Sequence, residues 1–430
     1  MSLDTLPHEL ITLIAENVDR DDLLSLRLAG TKLAACVQDF FIETFVQTRR
    51  YLISRHGLRK MRELDSLPHL AEKIREVNLV AIHPEPGYKI GILDGKEKAI
   101  REELYMVLST RGYKAVACAE TVAQVADALR AISAAGIEPW LLISHDAMRP
   151  WPACGTAYLT NALGFDFTTA WRMTGSSDAS RGAKTVLSAI AMADYPVTKP
   201  DLFDHFHGQG ISQYAFNVPK RFQRALQVCW SRLRMLNMRF GPDAFHNPLQ
   251  KSAWQSYRSL MPHASALEQL TVSREDWSEF HEPGGKRNCL WFGWFVRCFD
   301  GCKLKALTLS GVGAQQQDIE QFLQLHSDSL RSFRLTAVAI RLDDCWHETF
   351  CWVAENLRLS DLVLCQLQHG TCNATVLEDS DGKQGQWRQV TGELVVEQSL
   401  QDLTCSAVFL NEYEPGLDND NSSSDGTPPG

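Results

Sequence analysis

The sequence lacks the features of a secreted or membrane protein. No basic segment followed by an apolar one opens the chain, as it would in a signal peptide. The apolar run at 290–296 is far shorter than the ~20 residues that span a bilayer. The 12 cysteines are scattered and contain no Cys-x-x-Cys pair. We therefore expect reduced, buried cysteines and a protein of the cytosol or nucleus, without a membrane partner.

Common catalytic motifs are also missing. There is no Gly-x-x-x-x-Gly-Lys phosphate loop, no His-Glu-x-x-His and no Gly-x-Ser-x-Gly. A cysteine- and histidine-rich group has spacings that fit no usual zinc module, so core packing is favoured: Cys289, Cys298, Cys302, Cys345, His347 and Cys351. The Asp204–His207 segment is likewise expected to be structural. We expect no catalysis, no cofactor and no metal.

Charge and composition are those of an ordinary globular chain. Of the 430 residues, 44% are hydrophobic and 22% charged, and the net charge is −9. Because the net charge is negative, the chain has no overall positive potential that would favour nucleic acid as a partner. The last segment, 411–430, holds five acidic residues and neither lysine nor arginine. We expect this acidic tail to be disordered.

The first 45 residues read as three short helices. Pro7 suits a first helical turn, and Leu10, Ile11, Ile14 and Val18 follow at helical spacing. Asp21 or Asp22 can cap a second helix and Thr31 a third that runs to Phe45. A unit this small cannot bury so much aliphatic surface alone. The excess indicates a docking surface.

This stretch resembles the F-box in the form common in fungal F-box proteins. The resemblance covers residues 4 to about 45 and rests on Leu-Pro-x-Glu-Leu-Ile-x-x-Ile at 6–14 and Asp-Leu-x-x-Leu-Arg-Leu at 22–28. It implies a three-helix domain over 1–48 that binds a Skp1-type adaptor. The residues it assigns to that role are Leu6, Pro7, Leu10, Ile14, Leu23, Leu26 and Leu28. The alternative is an ordinary helical bundle in which these leucines are all core.

A second pattern recurs along the rest of the chain. Apolar residues recur at positions i, i+3 and i+5, and this spacing predicts a short strand. The clear copies begin at Ile74, Leu233, Leu267, Leu304, Leu330 and Leu359, and fainter ones at Ile137 and Val197. From Leu233 onward the starts are 34, 37, 26 and 29 residues apart.

Helix-like segments at 219–231, 289–299, 316–325 and 346–356 separate these strands. A strand and a helix in each unit of about 30 residues indicate an irregular leucine-rich-repeat-like solenoid. Fungal F-box proteins commonly show the same alternation. The predicted fold is therefore α/β: a three-helix F-box, then parallel strands alternating with helices over 73–410. A non-repetitive α/β domain is the alternative.

Other segments receive coarser predictions. Residues 49–72 are predicted to be a basic helical connector, and 97–135 two helices. Residues 145–182, rich in glycine and proline, read as a loop-rich insertion with a helix near 157–163, where a substrate could make contact. A hairpin around 374–390 would cap the solenoid. The basic residues of 218–240 could favour an acidic partner if they share one face of the sheet.

These readings predict a substrate-recognition subunit of an SCF-type ubiquitin ligase. The F-box would hold a Skp1-type adaptor and, through it, a cullin, while the solenoid would bind an unknown protein substrate. One alternative is a non-catalytic interaction scaffold that is not linked to ubiquitination. Another is an enzyme with an unrecognised site in 145–210.

Overall fold

A computed structural model describes most of the chain. The described residues are 3–81, 115–144, 152–163, 176–202, 210–241, 251–274, 292–340, 344, 346–369, 377–378, 384–385, 387–391 and 396. Among them, no helix has both the length and the apolar character that crossing a bilayer requires. The acidic tail at 411–430 and the first helix predicted within 97–135 lie outside them.

The chain opens with four helices rather than the three predicted. They are α1 (His8–Asn17), α2 (Arg20–Leu28), α3 (Thr31–Cys36) and α4 (Gln38–Ile42). The predicted third helix is divided because Val37 leaves helical geometry, with φ −98° and ψ 8°. The cap of α2 is also not the one predicted, since the Asp19 carboxylate accepts a hydrogen bond from the Asp22 N–H at 2.9 Å.

A ten-stranded sheet forms the body of the protein. Its strands lie in the order β1-β2-β3-β4-β5-β6-β7-β9-β11-β15, where β15 is Trp387–Thr391. Neighbours from β1 to β11 are parallel, and β15 pairs antiparallel with β11 at the edge. The parallel strands are β1 Thr48–Leu52, β2 Glu76–Val80, β3 Trp140–Ser144, β4 Pro200–Leu202, β5 Met235–Phe240, β6 Gln269–Arg274, β7 Ala306–Ser310, β9 Ser332–Thr336 and β11 Asp361–Cys365.

In every predicted copy of the apolar pattern, the second and third apolar residues lie on one of these strands and the first lies just before it. Helices connect the strands, and their described bounds are Arg55–Arg62, Pro68–Ala71, Ala115–Ala134, Thr156–Leu163, Ser176–Ala193, Lys220–Trp230, Lys251–Leu260, Gln316–Leu325 and Trp346–Asn356. Residues 292–296 are also helical. The α/β class with a mostly parallel sheet is thus confirmed, and the sequential strand order is compatible with an α/β solenoid.

One large apolar core lies between the sheet and these helices. Alternate strand residues such as Leu236, Leu270 and Leu307 point into it and are at most 1% exposed. In β5 to β11 the intervening residues are partly buried or, at Gln269 and Arg334, exposed, whereas consecutive residues are buried in β1 to β4. The second face of the sheet is therefore covered at its start and open from β5 onward. We call the latter surface the open face.

The last three repeats share a left-handed turn after the strand. Gly311, Ala337 and Gln366 follow β7, β9 and β11 with φ of 63°, 61° and 53°. The Gly311 N–H donates to the Thr336 carbonyl at 2.9 Å, and the Ala337 N–H to the Cys365 carbonyl at 2.7 Å. Each turn leads into a two-residue strand, and these strands form a small parallel sheet: β8 Gly313–Ala314, β10 Ala339–Ile340 and β12 Gln368–His369.

We expect Ala337→Gly to stabilise the protein. Alanine pays a steric penalty in the left-handed region that glycine does not, so the gain is about 0.5–1 kcal/mol in the free energy of unfolding. Urea unfolding monitored by circular dichroism measures it. Ala354→Gly, inside the helix Trp346–Asn356, is the control and should lose about 1 kcal/mol. A loss of stability in both variants would contradict this explanation.

A buried histidine makes the core sensitive to acid. His326 is 2% exposed, and its ring packs edge-to-face on Phe322 with centroids 4.8 Å apart. Burial lowers the pKa of His326 to about 4, although the backbone of Cys302 opposes part of that effect. The unfolded chain therefore takes up the proton near pH 6.5 and the folded chain only near pH 4.

Stability should consequently be fully present above pH ~6.5 and fall as the pH drops toward ~4. At about 1.4 kcal/mol per pKa unit, the loss from this group is about 2 kcal/mol between pH ~7 and ~5. We expect His326→Phe to remove that part of the pH dependence in urea unfolding. An unchanged slope in the variant would show that His326 is not responsible.

Several coarser predictions need correction. The segment 49–72 is not helical throughout, because its first residues belong to β1, which pairs in parallel with β2. In the insertion at 145–182, Thr156–Leu163 is the predicted helix, but a second helix, Ser176–Ala193, also begins there.

The second arm predicted for the C-terminal hairpin pairs with a different strand. Among the described residues, β13 Leu377–Glu378 pairs with β14 Gln384–Gly385, and β15 Trp387–Thr391 joins the main sheet. The edge of the sheet beside β11 is therefore covered by a strand of the same chain.

Candidate functional site

The four N-terminal helices have a small apolar core of their own. Its buried members are Ile11, Ala15, Leu23, Leu26, Leu33 and Val37. This cluster is separate from the main core, and Phe45 packs against both. We call residues 3–47 the helical unit. Because no later segment of the described part of the chain contributes to this core, the outer surface of the unit is left for other contacts.

Helical periodicity decides which leucines of this unit are exposed. In α1, Ile11 and Ala15 lie one turn apart and face the small core, so Leu10 and Leu13 face outward. In α2, Leu23 and Leu26 face the core, whereas Leu24 and Leu28 lie one turn apart on the outside. Each of these helices therefore presents a pair of leucines to solvent.

The structure divides the seven predicted adaptor-binding residues into three groups. Pro7, Leu10 and Leu28 are exposed, and Leu28 reaches 78%. Leu6 and Ile14 are half-buried against the small core, and Leu23 and Leu26 belong to it. Only the first group offers its side chains freely to a partner. The other four shape the surface from beneath.

Sequence reasoning missed three further exposed leucines in the same unit. Leu3, Leu13 and Leu24 are 44%, 55% and 39% exposed. Ten large hydrophobic side chains are exposed in the described part of the chain, and five of them are leucines between residues 3 and 28. Scattered exposed leucines need no explanation, but this concentration does. The helical phase places Leu13 and Leu24 away from the core positions of α1 and α2, but the sequence alone does not show which face of each helix is the core.

A series of polar and aromatic contacts runs from α2 of the helical unit to the first strand of the sheet. The Arg27 guanidinium lies over the Phe41 ring, 3.5 Å from its centroid. Phe41 stacks on Phe45, and Arg49 Nη1 donates to the Phe45 carbonyl oxygen at 2.8 Å. A π-helical turn at Glu43–Gln47 then passes directly into β1. The unit is thus joined to the sheet without an intervening linker.

The open face is a grid of mostly small polar side chains in register. Its central rows are Asn237–Thr271–Thr308–Arg334–Val363 and Arg239–Ser273–Ser310–Thr336–Cys365. At its far end, Arg334 Nε donates to Asp361 Oδ2 at 2.8 Å and Ser332 Oγ donates to the same oxygen at 2.7 Å. Such a surface is suited to hydrogen bonding with another chain.

The basic residues of 218–240 do not gather on this face. Lys220, Arg221 and Arg224 are exposed on the helix Lys220–Trp230, and of the remaining basic residues only Arg239 lies on an outward strand position. The idea that they form one basic surface is wrong, because the helix and the strand present different sides of the repeat.

All seven cysteines in the described part of the chain are free thiols, of which Cys229, Cys298 and Cys302 are buried and the other four are partly buried. Burial raises the pKa of Cys298 to about 11 and that of Cys302 to about 12, so both remain thiols. Cys351 lies 3.7 Å from His347 Nε2 on the same helix. Among the described residues, no group of three or more histidine, cysteine or acidic side chains is placed to hold a metal ion. Cys289, Cys345 and Asp204–His207 lie outside them.

Comparison with known proteins does not identify the chain. No protein-family model matches it, and no curated protein matches it significantly.

Proposed function

We propose that this protein is a substrate-recognition subunit of an SCF-type ubiquitin ligase. The helical unit is the F-box and binds a Skp1-type adaptor, which links the chain to a cullin. The observation that carries the proposal is the concentration of exposed leucines on a unit with its own core. In this helical unit the Leu-Pro motif is followed by the Asp-Leu motif, and that order resembles the F-box.

The exposed leucines supply the affinity and the surrounding residues the fit. Covering a half-exposed leucine contributes about 1 kcal/mol, since full burial is worth about 1.5–3 kcal/mol. Association costs several kcal/mol in lost freedom. Leu10, Leu13, Leu24 and Leu28 therefore serve as the anchors of a larger contact.

The open face binds a protein client in this proposal. Its register places hydroxyl, amide and guanidinium groups at the ~4.8 Å spacing of neighbouring strands. The protein itself does no bond chemistry. It raises the effective concentration of the client beside a ubiquitin-charged enzyme in the cytosol or nucleus.

Co-purification separates a ligase subunit from a scaffold outside the ubiquitin pathway. The tagged full chain is purified from cells, and the purified material is probed for adaptor and cullin. The Leu10→Asp variant is purified in the same way for comparison. We expect both proteins with the wild-type bait and neither with the variant. A client that accumulates when the gene is deleted completes the assignment. Adaptor without cullin, and no accumulating client, would favour the scaffold.

A further inference from the structure

A cavity of about 250 Å³ lies where the helical unit meets the first strand. Several parts of the chain line it. Phe45 comes from the helical unit, Thr48 to Tyr51 from β1, Lys60 from the helix Arg55–Arg62, and Glu63, Leu64 and Leu67 from the segment that follows that helix. Pro152 and Cys154 complete the lining. Its volume lies just below the ~300–1,000 Å³ of typical ligand sites, so it has room only for a small molecule.

The charge inside the cavity is positive. Arg49 and Arg50 are neighbours on a strand, so their side chains point to opposite faces, and Arg50 shares its row with Asn78. The charged side chains on the cavity side are therefore Arg49, Lys60 and Glu63. Lys60 Nζ donates to Glu63 Oε2 at 2.7 Å. Two cations and one carboxylate leave a charge that a single anionic group would neutralise.

Arg49 and Lys60 are the cations that an anionic group in the cavity would meet. Arg49 Nη1 is fixed by the Phe45 carbonyl oxygen, and the Arg49 charge also acts on the Tyr51 hydroxyl. Arg49 Nε is too deeply buried to touch a molecule in the cavity, which leaves the outer end of the guanidinium for a ligand. A carboxylate is an anion that the planar, permanently charged guanidinium binds well.

The positive charges of Arg49 and Lys60 also affect the pKa values of two neighbouring side chains. Burial raises the pKa of Tyr51 to about 12, and the positive charge of Arg49 opposes this. Burial also raises the pKa of Cys154, against the combined effect of Arg49 and Lys60. Arg49 and Lys60 therefore act on the interior of the cavity as well as on its rim.

The remaining walls are apolar. Phe45, Leu64, Leu67 and Pro152 line the cavity beside the charged groups. A ligand that fills this space needs a compact apolar body attached to its anionic group.

We propose that this cavity binds a small carboxylate with an apolar body, held by Arg49 and Lys60. The inference does not depend on the ubiquitin-ligase assignment. Because Phe45 belongs to the wall, a bound molecule touches both the helical unit and the sheet. Occupancy would thus stiffen the junction between them.

Isothermal titration calorimetry of the full chain tests the proposal with hydrocinnamate as the probe. Its neutral analogue, hydrocinnamamide, has the same shape without the charge. We expect saturable binding of the carboxylate and affinity at least about tenfold weaker for the amide. Phenyl phosphate is the third probe. Tighter binding of this dianion than of hydrocinnamate would overturn the choice of a carboxylate.

Three variants locate the bound probe. Arg49→Gln should weaken hydrocinnamate by about tenfold or more, because a buried charged contact is lost. Lys60→Gln should weaken it about threefold, since Lys60 is partly exposed. Lys305→Gln removes a comparable surface ion pair, Lys305–Glu268 at 2.9 Å, and should leave binding unchanged.

Lys60→Gln keeps the test decisive if Arg49→Gln fails to fold, because Lys60 packs on the surface. The proposal is wrong if hydrocinnamate shows no saturable binding, if the amide binds equally well, or if Lys60→Gln and Lys305→Gln behave alike.

Discussion

Leu10→Asp should abolish binding to a Skp1-type adaptor while the protein stays folded. Leu10 is 47% exposed and lies in the first turn of α1, where a carboxylate is compatible with the helix dipole. Bound to the adaptor, that carboxylate would be buried without a partner, so we expect affinity to fall by about 100-fold or more. Leu28→Asn, at the end of α2, should weaken binding by about tenfold. Surface plasmon resonance with purified adaptor measures both.

Matched substitutions elsewhere control for surface polarity. Val228 is 51% exposed on the helix Lys220–Trp230, so Val228→Asp is the counterpart of Leu10→Asp. Leu325 is 52% exposed and ends the helix Gln316–Leu325, so Leu325→Asn corresponds to Leu28→Asn. Both controls should bind the adaptor normally. If Leu10→Asp and Leu28→Asn also bind normally, the helical unit is not the docking surface.

The buried leucines of the same motif should behave differently. Leu26 lies in the small core and is 9% exposed. We expect Leu26→Asp to lose the fold of the helical unit together with adaptor binding. Circular dichroism distinguishes this outcome from the selective loss in Leu10→Asp.

Gly57→Ala should destabilise the protein by about 3 kcal/mol or prevent folding. A Cβ on Gly57 would overlap the Leu52 carbonyl oxygen and lie 2.9 Å from that of Cys154. Neither carbonyl oxygen can move easily, because hydrogen bonds fix the surrounding backbone. The Leu52 N–H donates to the Cys154 oxygen at 3.0 Å, and the Gly57 N–H donates to Ser54 Oγ at 3.0 Å. The helix after β1 is thus pinned against the strand and the 152–155 segment.

Calorimetric unfolding measures the effect, with Gly301→Ala as the control. At Gly301 the nearest atom to an added Cβ is the Pro262 carbonyl oxygen, at an ordinary 3.7 Å. We expect this variant to lie within about 0.5 kcal/mol of wild type. Equal stability of the two variants would show that the contact at Gly57 relaxes freely.

The strands could be predicted because each repeat buries alternate residues at fixed spacing. The sequence also predicts that the first strands are buried on both faces and the later ones on one face. Val77 to Ala81 is a nearly continuous apolar run, as expected of a strand covered on both faces, whereas β5 alternates. The first strand was missed because adjacent Arg49 and Arg50 resemble the polar side of a helix. Only pairing with β2 makes that segment extended.

Other features follow from tertiary structure and carry no local signal. Ala337 and Gln366 adopt left-handed geometry without being glycine. At Ala337 the turn is held by the hydrogen bond from its N–H to the Cys365 carbonyl of the next repeat. The leucine-rich motif at 6–28 predicts amphipathic helices but not which leucines are core, since that depends on the path of α3 and α4. The cavity joins residues 45–67 to 152–154, which are distant in sequence.

Because Gln47 is followed at once by Thr48 of the first strand, the chain leaves no length over which the helical unit could swing. In the proposed ligase, an adaptor that grips this unit would carry the client-binding sheet as a fixed arm. Which lysines of a client receive ubiquitin would then depend on where they project from that arm. A flexible insert between Gln47 and Thr48 should therefore broaden the set of modified lysines without changing how tightly the client is held.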